Sequence, residues 1–211
     1  MRKWLAPGII LLTIAFTVSV YSRLPDRMPV HWALQGTANR YGPRTEGAFL
    51  MPIVMIGFWL LLRFLPRIDP RRANYEKFGD TYDLFVNSLI ALFAVMHVAL
   101  LATALGWPIS MERLVPALVG LQFLILGNAL PRARPNWWFG IRTPWTLSND
   151  RVWMRTHRVA GYLLAAASIV LLVAAVVPAA WMFALGITAV GAAAFGSFIY
   201  SYFAWKQETS K

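Results

Sequence analysis

Six long apolar runs constrain this chain more than any other feature. They cover Trp4–Tyr21, Ala48–Leu65, Leu84–Leu105, Leu114–Leu130, Val159–Val177 and Ala179–Trp205. A helix rises 1.5 Å per residue, so about 20 apolar residues cross a hydrocarbon core of about 30 Å. Each run reaches or approaches that length. The chain is 58% hydrophobic and 14% charged, whereas soluble domains are about 45–50% apolar and about 25% charged. Lipid is therefore the expected solvent. The sequence predicts an all-α integral membrane protein with about six transmembrane helices.

The edges of the runs add detail. Arg2 and Lys3 precede the first run, as in a signal peptide. The run is longer than a signal core of about 7–15 residues, and Val20-Tyr21-Ser22 fits a small-x-small cleavage site poorly. We read an uncleaved first span. Pro116 is expected in the first turn of the fourth helix, where proline is tolerated. Pro178 divides the last long stretch into a tight helical hairpin. Its two arms are rich in Ala, Gly and Ser, and small residues let helices approach closely in lipid. Ala192 and Gly196 form a small-x-x-x-small pair, expected to serve packing within the chain.

Orientation follows from Lys and Arg. Fifteen of the twenty lie on the side of the termini and five on the other. The positive-inside rule then places both termini in the cytoplasm. The formal charge of +11 needs no nucleic acid to explain it, because the cations sit in short gaps between spans. The expectation is a multi-pass inner-membrane protein, with membrane lipids as partners and no direct nucleic-acid binding. Three parts can be marked: 1–66, two spans and an external loop; 67–113, a cytoplasmic segment and the third span; 114–211, spans four to six. With no cysteine, disulfides and thiolate chemistry are excluded.

Two connections carry information. The outer one, 24–42, holds Pro25, Pro29, Gly36 and Gly42, which imply a fixed path. His31 is its one group that titrates near neutrality, and Asn39 joins it as a candidate contact. The inner one, 127–158, is interrupted by Pro131, Pro135 and Pro144, so it cannot be one helix. Ser148 is the expected N-cap of the next helix, with Asp150 in its first turn. Arg151, Arg155 and Arg158 then share a face, with Arg155 close enough to Asp150 for local pairing. Guanidinium groups beside indoles suit anionic head groups or a docking partner. The candidate contacts are Asn128, Asn136, Arg142, Thr143, Trp145, Asn149, Trp153, Arg155 and His157.

Gly127-Asn128, Pro135-Asn136, the stretch from Gly140 to Asn149, Val152-Trp153 and Thr156-His157 resemble the signature of the SdpI family. The outer loop, with Pro29, His31, Gly36 and Tyr41-Gly42, is similar to a domain of unknown function that commonly precedes it. This resemblance implies a six-span bacterial membrane protein. It also implies immunity or signalling: the family's namesake resists a secreted toxic peptide and, when engaged, holds a transcriptional repressor at the membrane. A peptide toxin outside and a repressor inside are thus the partners implied.

Two other readings stay open. A small transporter or channel would use polar groups in the spans, and His97, Gln122 and Asn128 are the candidates. His97 is more simply a neutral histidine bonded to a neighbouring helix. A membrane-embedded hydrolase would act near His31 or His157. It lacks a nucleophile, a metal set or paired carboxylates, so catalysis, cofactors and metals are not expected. Asp69, Glu76, Asp80 and Asp83 alternate with Arg71, Arg72 and Lys77, which reads as a solvated cytoplasmic segment.

Overall fold

The computed structural model describes residues 4–210. Arg2, Lys3 and Lys211, part of the charge argument, lie outside the described residues. Among those residues, six helices are long and apolar enough to cross a membrane. The spanning helices are α1 (Leu5–Val20), α2 (Arg44–Phe64), α3 (Gly79–Ala104), α4 (Met111–Ala129), α6 (Asp150–Val176) and α7 (Ala180–Thr209). A short α5 (Pro144–Ser148) lies within the inner loop. Six crossings put both ends of the chain on one face, which we call the terminal face.

The outer loop has the fixed path expected of it, and its form is a β-hairpin. Strand β1 (Arg27–Trp32) pairs antiparallel with β2 (Ala38–Pro43), with Met28 opposite Gly42 and a register shift near His31. The turn needs Gly36 at φ +75°, a region open to glycine. A side chain there would also strike Glu112 at the start of α4, 2.7 Å from its Cβ. The hairpin tip thus rests on α4. Its base is anchored by Met28, fully buried beside Leu24, Ala48 and Leu101. Gly47 makes room for it, since a Cβ there would lie 2.5 Å from the Met28 sulfur.

Packing between the spans follows residue size. At the terminal-face end of α4 and α6, a Cβ on Gly127 would approach Gly161 O to 2.9 Å, and one on Gly161 would approach Gly127 O to 2.6 Å. Only two glycines permit that backbone contact. Between α6 and α7 the packed stripe is Gly186, Ala193, Ser197, Ser201 and Ala204. Ala192 is exposed and Gly196 only half-buried, so the pair singled out from the sequence lies beside the seam rather than in it. The stripe is one position out of register with that pair. The other helix faces show Leu11, Leu12, Ile53, Val95, Ile169 and Phe195 to the exterior, as lipid contact requires.

Two further expectations need correction. Helix α4 begins at Met111, so Pro116 sits in its interior rather than its first turn. The acids of the second connection are not uniformly solvated: Asp69 is 3% exposed and Asp83 6%. Asp83 accepts from Arg63 at 2.6 Å, tying α2 to α3. His97 behaves as expected. Thr17 gives its one hydroxyl proton to Thr13 O at 2.8 Å, so His97 Nε2, 2.8 Å from the same oxygen, is the donor between α3 and α1.

Candidate functional site

The inner loop is organised from within by buried polar side chains. Asn136 is completely buried. Its Oδ1 accepts from Trp138 N at 2.9 Å, Phe139 N at 2.6 Å and the Tyr75 hydroxyl at 3.1 Å. Its Nδ2 donates to Arg134 O at 2.8 Å and Phe139 O at 2.9 Å. One side chain thus satisfies four backbone groups of a non-helical turn, which would otherwise be left without secondary-structure partners. Asp69 completes the frame: it accepts from Arg71 N and Trp137 N, and its Oδ2 shares the one Tyr75 hydroxyl proton with Asn136 Oδ1, each 3.1 Å from that hydroxyl. Burial, then the neighbouring Asp69 charge, push the Tyr75 hydroxyl well above its ordinary pKa, so it stays a proton donor. Tyr82 meets the Tyr75 ring edge-on and Phe78 at a tilt, and Phe139 stacks on Phe78 and meets Tyr82 edge-on.

His157 closes the next turn. Ile141 N donates to its Nε2 at 2.9 Å. That fixes the proton on Nδ1, which donates to Trp153 O at 2.8 Å. The ring stacks on Trp153 with centroids 4.0 Å apart, and Trp153 Nε1 donates to Ala133 O at 2.9 Å. Gly140, at φ +117°, passes so close that a Cβ would lie 2.2 Å from His157 Nε2. Both histidine nitrogens are committed inside the fold, which leaves neither as a base for hydrolysis.

Thr143 caps α5. Its hydroxyl accepts from Thr146 N while Thr146 Oγ1 accepts from Thr143 N, a reciprocal capping box. The Thr143 hydroxyl also lies 3.0 Å from that of Ser201 on α7, and Trp145 packs edge-on against Phe198 and Tyr202 of the same helix. The N-cap of α6 is Asn149, which accepts from Arg151 N and Val152 N. Ser148 was expected there; it instead ends α5, because Pro144 starts a separate helical turn. Asp150 pairs with Arg71 at 2.9 Å rather than with Arg155. Arg155 reaches α7, donating to Glu208 at 3.1 Å and Gln207 at 2.8 Å.

The expected inner residues therefore divide into two groups. Asn136, Thr143, Asn149, Trp153 and His157 form the scaffold, and Trp145 and Arg155 fasten it to α7. Arg142 is exposed, held by its bond to Trp137 O at 3.0 Å. Asn128 is exposed on α4, outside the cluster. What the loop displays is Arg132, Arg134, Trp137, Trp138 and Arg142, all exposed. On the opposite face, His31 Nδ1 bonds Asn39 Oδ1 at 2.6 Å across the hairpin, and both are exposed.

Sequence reasoning missed Asp69, Tyr75, Asn74 and Thr146. Asn74 donates to Pro135 O at 2.8 Å. Asp69, Asn74 and Tyr75 come from the connection between α2 and α3, 61 to 68 positions away from their partners, whereas Thr146 lies three positions from Thr143. No local spacing links the first three to the loop. The one available signal was Asp69 followed by Pro70, which marks a turn.

Fold and site together define a multi-pass helical membrane protein with a rigid hairpin on one face and a rigid polar-cored loop on the other. Residues 132–201 match the SdpI/YfhL protein family, and residues 8–56 match the domain of unknown function DUF1648. The chain is also 28% identical over 160 residues to the immunity protein SdpI of Bacillus subtilis (strain 168), covering 74% of each chain. No solved structure matches it significantly. The SdpI-family resemblance therefore holds, with both regions in the expected order. The DUF1648 match contains the hairpin; the SdpI/YfhL match contains the inner loop from Arg132 onward.

Proposed function

We propose that this protein is an immunity protein of a bacterial cell membrane, with both termini in the cytoplasm. It engages an extracellular toxic peptide at its hairpin face and offers its inner loop to a cytoplasmic regulator. On this reading the first part, 1–66, receives the peptide, and the last, 114–211, presents the signal. The central segment, 67–113, supplies Asp69 and Tyr75 to the loop scaffold.

One observation carries the reading. The inner loop spends four buried polar side chains, Asn136, Thr143, Thr146 and His157, on holding a surface of tryptophan and arginine in one conformation, with Asp69 added from the preceding connection. A mere connection between two spans needs no such frame. Trp and Arg dominate energetically important interface positions, particularly when preorganised. The transport reading has less support. His97 lies seven residues from the outer end of α3, about 10 Å at helical rise, whereas Asn128 lies at the opposite end of α4 and faces outward. These groups do not converge.

The test is protection. Cells lacking their own SdpI-family protein, exposed to the secreted peptide that it neutralises, should regain growth when this chain is expressed. His31→Ala on the hairpin and Arg142→Ala on the inner loop should each reduce protection at unchanged protein level. No protection by the parent chain would refute immunity. Full protection by Arg142→Ala, with a repressor still recruited to the membrane, would refute the inner-loop role.

A further inference from the structure

We propose that a groove at the hairpin-side ends of α3 and α4 binds one phospholipid of that leaflet, its acyl chain in the groove and its phosphate on Arg113. The groove is open to the exterior, has a volume of about 570 Å³ and runs between α3, α4 and the end of α6. Its walls include Val95, Ala99, Ala102 and Ala117, and Trp107 and Arg113 stand at its mouth. Alanines on facing helices leave space that larger aliphatic side chains would fill. The cleft is thus written into residue size.

Three observations select a lipid as the occupant. The first is length. Val95 lies nine residues before the end of α3 at Ala104, about 14 Å at helical rise, and one leaflet's share of the hydrocarbon core is about 15 Å. The second is charge. Arg113 is exposed, and its side chain makes no hydrogen bond or ion pair with the described residues. Elsewhere on this face Arg40 pairs with Glu46, half-buried Arg44 with Asp26, and Arg27 donates to Tyr41 O, while exposed Arg23 does not line the groove. The neighbouring acid, Glu112, sits under the hairpin tip, where Gly36 crowds its Cβ. The third is position. Trp107 is 65% exposed in the connection that leaves the membrane, the depth at which indoles meet head groups. A guanidinium matches a phosphodiester in fork geometry. An apolar slot beneath an unpaired cation is the complement of a phospholipid.

The experiment uses the full chain in nanodiscs of phosphatidylethanolamine and phosphatidylglycerol, with phosphatidylglycerol carrying a diazirine on its acyl chain. Photolabel mapped by peptide mass spectrometry should concentrate on Val95–Ala102 and Ala117, above the level at Leu11 and Leu12 on the lipid-facing side of α1. Arg113→Gln should lower groove labelling about fivefold, the equivalent of ~1 kcal/mol for one arginine near an anionic surface. Ala102→Leu with Ala117→Leu should abolish it by filling the slot. Thermal unfolding checks that each variant is folded, and Arg113→Gln alone carries the test if the double variant is not. Equal labelling of groove and α1, or labelling indifferent to Arg113→Gln, overturns the proposal. So does displacement of the lipid label by an equimolar apolar peptide, which would assign the groove to a peptide.

Discussion

Replacing Asn136 by alanine should melt the inner loop while leaving the spans inserted. The side chain makes five contacts: three accepted at Oδ1 and two donated at Nδ2. Tyr75 keeps Asp69 as a partner after the change, and Trp138 is 39% exposed, so water can reach its N–H. Phe139 is 6% exposed and loses partners for both its N–H and its carbonyl. Each buried group left unpaired costs about 1–3 kcal/mol, so the expected loss is about 2–6 kcal/mol. The loop escapes part of it by opening to water. The chain has no cysteine, so a single introduced thiol reports without background. Ala133 is fully buried. Ala133→Cys should resist maleimide in the parent protein and react readily once Asn136→Ala is added, with a lower thermal midpoint in detergent. An unchanged midpoint together with a protected thiol would refute Asn136 as the template of the turn.

Other outcomes follow from the same geometry. Gly140→Ala forces a side chain into a positive-φ position and onto His157 Nε2. It should cost about 1–3 kcal/mol of backbone strain alone, and adding His157→Ala should cost less than the sum of the two single changes in thermal melts. Gly161→Ala drives a Cβ against the Gly127 carbonyl. It should separate α4 from α6 and destabilise by about 1–3 kcal/mol or more, read from resistance to detergent unfolding. Tyr75 has a folded pKa above its ordinary value of 10.0. Its contribution is fully present below pH 10 and is lost as pH rises, because only the unfolded chain releases the proton. Stability should fall by up to about 1.4 kcal/mol per pH unit from this group, and Tyr75→Phe should remove that part of the slope.

The membrane class was legible because lipid imposes one length and one polarity on every span. The six runs in the sequence became six helices, each within the apolar stretch expected or extending past it. Extension occurred where polar residues could be satisfied at the membrane edge. α2 begins at Arg44 because Pro43, extended at ψ 156°, releases the chain from the hairpin. α4 begins at Met111, ahead of Pro116, because its start lies under the hairpin tip rather than free in lipid. The fixed path of the outer loop was legible from its prolines and glycines. Its strands were not, since Arg27–Trp32 contains a proline and shows no clean alternation of burial.

For the inner loop, the sequence by itself determined which residues matter locally. Proline positions broke the helix, and Asn136, Thr143, Trp153 and His157 stood out by type and company. Only the tertiary structure decided what they do. Asn136 and His157 face inward because they supply hydrogen bonds to backbone groups that neither helix nor lipid can satisfy. Asp69 and Tyr75 join them because α2 ends and α3 begins on the face where α4 ends and α6 begins, a proximity without any signature in chain spacing. The same division holds for Ala102, Ala117 and Arg113. Their types are plain in the sequence, but a slot beneath a free cation exists only once α3 and α4 stand side by side.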